Sequence, residues 1–119
     1  MDRMSSGAFD RRIAIWRAGM IDDGTATVQG PLAKIGERWA MKADVSDGER
    51  LRAGENGQEL TTRFTVRPDT LTRSITGGDV IVYQGMTYAV TGTRERGERV
   101  DVIEISTAAR PDRAREAEA

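Results

Sequence analysis

The side chains that most often do chemistry are scarce in this chain. Histidine and cysteine are both absent, which removes the usual metal ligands and the commonest general base together. Carboxylates, serines and two lysines remain, so a pair of acidic groups is the catalytic route left open. Such a pair has to converge in a cleft, and the acidic residues fall mainly in predicted loops at spacings that select no pair. No catalytic residue, cofactor or metal is expected. Sequence-independent DNA binding is disfavoured too, because a formal net charge of −1 and a pI near 5.5 leave no clearly basic face. The chain has only six aromatic residues, most of them predicted inside, whereas small nucleic-acid-binding β-barrels interleave exposed aromatics with cations. Arginine stands out, at 16 of the 18 basic residues. Its planar, bidentate guanidinium suits protein interfaces better than lysine does, although a coding-composition bias would give the same excess.

The elements that position these residues read as β-strands. Residues 10–18 alternate, with Ile13 and Ile15 to one side and Arg12, Ala14 and Trp16 to the other. Residues 20–32 read as a connection, punctuated by Asp22-Asp23-Gly24 and Gly30-Pro31. A second strand is predicted over 38–45, with Trp39, Met41, Ala43 and Val45 on the core face. Residues 46–58 break the pattern with glycines and charges. Ser46-Asp47-Gly48-Glu49 has capping-box spacing, which predicts one helical turn through Leu51, ended by Gly54 and Gly57. A third strand is expected over 60–67, stopped by Pro68. Residues 79–83 and 86–93 form a hairpin about Gln84-Gly85, with Tyr83 and Tyr88 packing across it. The charged stretch 94–99 is a hairpin tip, and 100–106 is the last strand.

This amounts to an all-β domain, a small antiparallel barrel or sandwich of about six strands with one long polar loop. A length of 119 residues fits one domain: a flexible N-terminus over 1–8, the domain over 9–107, and a flexible charged tail over 108–119 with no apolar side chain larger than alanine. No apolar run approaches the roughly 18–20 residues that span a bilayer. The N-terminus has no apolar signal-peptide core, and without cysteine a cytosolic place of synthesis is expected.

Three segments, in this order, resemble the phage head–tail joining family of head-closure or stopper proteins. The first, Phe9-Asp10-Arg11-Arg12-Ile13-Ala14-Ile15-Trp16-Arg17, is similar to the family's opening strand. The second, Arg38-Trp39-Ala40-Met41-Lys42-Ala43-Asp44-Val45 with Ser46-Asp47-Gly48-Glu49, resembles its Trp-Ala strand and following polar loop. The third joins Thr62-Arg63-Phe64-Thr65-Val66-Arg67 to the hairpin 79–90, whose Gly85-Met86-Thr87-Tyr88 matches the family's Gly-x-x-Tyr. Residues 20–35 and 68–73 lie outside the resemblance.

The resemblance implies a structural virion protein of the head–tail connector, or neck. It would be made in the bacterial cytoplasm and built into a homo-oligomeric ring, sixfold or twelvefold, of a phage or a gene-transfer-agent-like particle. Its partners would be the portal or adaptor protein on the head side and a tail-terminator or tail-tube protein on the tail side. Packaged double-stranded DNA would make only passing contact, and no membrane is involved. A tail-terminator ring is the neighbouring alternative, and a small nucleic-acid-binding barrel the more distant one. On this reading Asp47, Glu49, Arg50, Arg52, Glu55 and Glu59 form a candidate channel-plug loop, against an ordinary solvated β-loop. Arg11, Arg12, Trp16, Arg17, Arg63 and Arg67 form a candidate subunit or partner interface, against a solvated strand face.

Overall fold

The computed structural model describes residues 8–22, 24, 26–99 and 101–110. Six strands and two short helices follow in the order β1 (Arg11–Asp22), β2 (Thr27–Asp44), α1 (Asp47–Glu55), β3 (Thr62–Val66), α2 (Thr70–Arg73), β4 (Val80–Tyr83), β5 (Met86–Arg96) and β6 (Val102–Ala109). All strand pairs are antiparallel, and the sheet closes as a barrel in the order β1-β2-β3-β6-β5-β4. The all-β barrel expected from the sequence is the fold observed.

Alternation fills the barrel. Ile13 and Ile15 of β1, Phe64 and Val66 of β3, Ile81 and Tyr83 of β4, Tyr88 and Val90 of β5, and Ile103 and Ile105 of β6 form one buried cluster. Full burial of each isoleucine or phenylalanine contributes roughly 1.5–3 kcal/mol. Phe64 is central, with its ring edge-on to Tyr88 at 5.1 Å and to Tyr83 at 6.4 Å. The β4–β5 hairpin turns where expected, at Gln84 and Gly85. Both adopt positive φ, 50° and 77°, as a type I′ turn requires.

Several expectations are corrected. The segment read as a connection over 20–32 is mostly strand: β1 runs to Asp22 and β2 starts at Thr27. Gly19, Gly30 and Pro31 sit where the ladder shifts register between Ala18 and Met20, because bulges tolerate residues that break a regular strand. β2 pairs with β3 only from Ala40 to Asp44, and β1 with β4 only from Ala14 to Trp16. The rest of this hairpin therefore extends beyond the wall as a two-stranded ribbon.

Within residues 46–58, expected as a loop with one helical turn, Asp47–Glu55 form α1, and the helix passes through Gly54. An unforeseen turn of helix, α2, is fixed by a capping box in which Asp69 accepts from the Thr72 backbone and the Thr72 hydroxyl accepts from the Asp69 backbone. The charged tip predicted over 94–99 is partly strand, since β5 continues to Arg96 and Gly97 makes the turn. β6 reaches Ala109, so residues 108 and 109 belong to the wall. The remaining flexible-end expectations, over 1–7 and 111–119, fall outside the described residues.

The largest correction concerns Trp39. It is 53% exposed on the outer face, whereas the neighbouring Ala40 points into the core. The cross-strand pair Arg12↔Trp39 shares the outward face, and Ala40↔Val66 shares the inward one. A small residue suffices inside because Phe64 already occupies that part of the barrel.

Candidate functional site

The candidate site is a surface for association. It has two parts, at α1 and on the outer face of β1–β3.

Asp44 ends β2, and the Ser46 side chain accepts from the Glu49 backbone N–H at 3.2 Å, starting α1. The helix touches the barrel on one side only. Ala53 is its buried residue, and the Glu49 carboxylate accepts from the Arg63 guanidinium on β3. That bond to Arg63 holds the Glu49 carboxyl below its ordinary range, against a smaller opposing effect of burial. Asp47, Arg50, Arg52 and Glu55 are exposed and form no ion pair among the described residues. Glu59, past the helix, accepts from Arg110 at 2.8 Å. Leu51 is 66% exposed, an apolar side chain on the face turned away from the barrel.

Beyond α1 an open cleft of about 570 Å³ runs between the helix end and the β5–β6 wall, lined by Gly57, Arg63, Gly92, Arg94, Glu104 and Arg110. Glu104 is 8% exposed and accepts from both Arg94 and Arg96. Burial alone would raise its pKa, but these two guanidinium groups more than reverse that and hold it below the ordinary value. Among the described residues no group of acidic side chains is arranged to hold a metal ion.

The six residues expected at an interface are mostly engaged within the chain. Arg11 donates to the Tyr83 hydroxyl at 2.8 Å. Arg17 grips the buried Asp79 through two bonds, at 2.9 and 2.8 Å, and also donates to the Ser74 carbonyl. Arg63 is tied to Glu49. Trp16 is half-buried, not free on the outer face, and its indole N–H is buried without a hydrogen-bond partner among the described residues. Arg12 and Arg67 remain closest to the expectation, both exposed. Arg12 bonds Glu37 at 3.0 Å and lies 5.3 Å over the Trp39 ring, while Arg67 lies 4.4 Å over Phe9.

Sequence reasoning missed Trp39 and Leu51 as surface features. The phase of β1 carried a signal for Trp39. Ile13 inside forces Arg12 outside, and a residue opposite Arg12 must share its face.

Comparison with curated proteins finds no match. The solution structure of protein SF1141 from Shigella flexneri 2a is similar, with a TM-score of 0.68 at 20% identity, covering 89% of this chain and 96% of that one. At that identity the likeness establishes the fold. A family model described as phage head completion protein matches residues 4–110, which takes in all six strands and both helices. The chain therefore belongs to the phage head completion protein family, structural proteins of the virion that act in head closure.

Proposed function

We propose that this protein forms the homo-oligomeric ring of the head–tail connector, closing the DNA-filled head beneath the portal or adaptor and offering the tail its docking surface. The family match supports the head-closure role, and one structural observation carries the finer reading. α1 is a charged, glycine-containing segment attached to a rigid closed barrel by one buried alanine and one ion pair. A helix of nine residues with so little packing is marginal by itself, so it can shift while the barrel keeps its shape. Repeated around a ring, the segment 46–59 narrows the channel in a way that one copy cannot. The segment carries four carboxylates, Asp47, Glu49, Glu55 and Glu59, against two arginines, and this negative balance disfavours lasting contact with DNA phosphates. The residues proposed for this channel element are Asp47, Glu49, Arg50, Arg52, Glu55 and Glu59. Arg12 and Arg67 are the partner-facing arginines of the outer wall, and Arg11, Arg17 and Arg63 brace that wall through bonds within the chain, beside the half-buried Trp16.

Electron microscopy of particles made without this protein, with DNA content assayed in parallel, tests the reading. Tailless heads that leak DNA beside free tails of normal length are the expected result. Filled, stable heads beside overlong tails would make the protein a tail terminator, and normal infectious particles would refute the connector role.

A further inference from the structure

We infer that neighbouring copies join by seating Trp39 of one copy against the outer face of α1 of the next. The inference rests on the proposed ring and assigns it a contact. Among the described residues the large apolar side chains left exposed are Met20, Trp39 and Leu51, and the last two sit in oppositely charged settings. Trp39 is bordered by two cations, Arg12 and Arg67, and by one carboxylate, Glu37, which accepts from Arg12. Arg12 stacks over its ring, and Arg67 follows Val66, the partner of Ala40, so it lies beside Trp39 at the end of that ladder. Leu51 is bordered by acids. Asp47, Leu51 and Glu55 recur every four residues and so share one face of α1. That face lies opposite the one holding Ala53 and Glu49 against the barrel.

Beside Leu51 is a depression of about 400 Å³ whose lining includes Asp47, Arg50, Gly54, Leu60 and Glu59, the last already tied to Arg110. An indole flanked by two arginines suits a leucine-lined depression beside the unpaired carboxylates Asp47 and Glu55, where Arg50 is the opposing charge.

The two patches cannot meet within one chain. Trp39 lies five residues before the end of β2 and α1 starts beyond that end, a separation of about 17 Å at the strand rise. Two different patches on one subunit give a head-to-tail contact, the kind that repeats around a ring instead of closing a dimer. The occupant is therefore a second copy of this chain. In the ring, α1 then lies where neighbouring copies meet.

The test uses the full chain in assembled particles and exploits its lack of cysteine. A chain carrying Arg67→Cys and Glu55→Cys, treated with a short bis-maleimide, should give a ladder of covalent oligomers, and either single variant should give none. Trp39→Ala should lower the yield of DNA-filled tailed particles about tenfold or more while melting with the parent, since its side chain is exposed. Reversing the charges at Arg12 and Arg67 to glutamate, or at Asp47 and Glu55 to arginine, should lower the yield to a similar degree. Combining all four substitutions should restore it.

Particles that carry several copies at the neck yet give no ladder would overturn the inference, as would a fourfold variant no better than either pair. Particles with no ring of this protein would instead refute the proposed function, which separates the two failures. If the double-cysteine chain builds no particles, the charge-reversal series decides.

Discussion

Replacing Glu104 by glutamine separates the electrostatic part of this barrel's stability from its packing. Glu104 points outward from β6, yet it is buried beneath the side chains of Arg94 and Arg96. Each charge-assisted bond contributes about 1.5–3 kcal/mol in a shielded setting. Arg94 and Arg96 are 72% and 50% exposed, so water screens both bonds and the combined loss shrinks to about 1–2 kcal/mol. For a domain of this size that lowers Tm by roughly 4–8 °C at pH 7.

The pH dependence gives the sharper test. A carboxyl whose folded pKa lies below its unfolded value contributes stability that is fully present above the unfolded value and is lost as pH falls through the folded one. Glu104 lies below its ordinary value of 4.5. The Tm difference between parent and Glu104→Gln should therefore be constant from pH 7 to about 5 and narrow below the unfolded pKa. Calorimetric melts at several pH values measure it. A difference that stays constant down to pH 3, or no difference at pH 7, would refute the assignment of the two arginine bonds as stabilising.

Three further perturbations probe the other elements. Phe64→Ala removes the centre of the core cluster and should cost about 3–5 kcal/mol, read as a shift in the midpoint of urea unfolding. Ser46→Ala should destabilise α1 by about 1 kcal/mol; amide exchange should quicken over 47–55 while the rates in β3 and β6 stay unchanged. Gly85→Ala places a side chain at φ 77° and should lower stability by roughly 1 kcal/mol, detectable in the same urea titration.

The sequence discloses this fold unevenly, for physical reasons. The β4–β5 hairpin and β3 are legible because alternation and turn chemistry agree there, as at Gln84-Gly85 and at Phe64 and Val66. The ribbon of β1 and β2 is not, because Gly19, Gly30 and Pro31 give the same local signal in a bulge as in a turn, and only the pairing partner tells them apart. α1 outlasts its predicted single turn because a glycine inside a helix costs about 1 kcal/mol, which caps and one ion pair can offset. Trp39 misleads because a strand with large apolar residues on one face usually buries that face. Here the barrel's interior is filled from β3, and the larger side chain is turned outward. Arginine enrichment is plain in the sequence, but which arginines remain available depends on Asp79, Tyr83 and Glu49, contacts between residues distant in the chain.

The barrel is closed by its shortest junction. β1 meets β4 through three residue pairs, Ala14–Trp16 against Val80–Val82, whereas the β2–β3 and β3–β6 junctions have five each. Arg17 fastens the end of that seam through Asp79. A closed wall under strain parts where the fewest bonds share the force. Parting at β1–β4 would unroll the subunit into an open sheet in the order β1-β2-β3-β6-β5-β4, with five of its six junctions intact. Mechanically, the subunit is a hoop with one clasp.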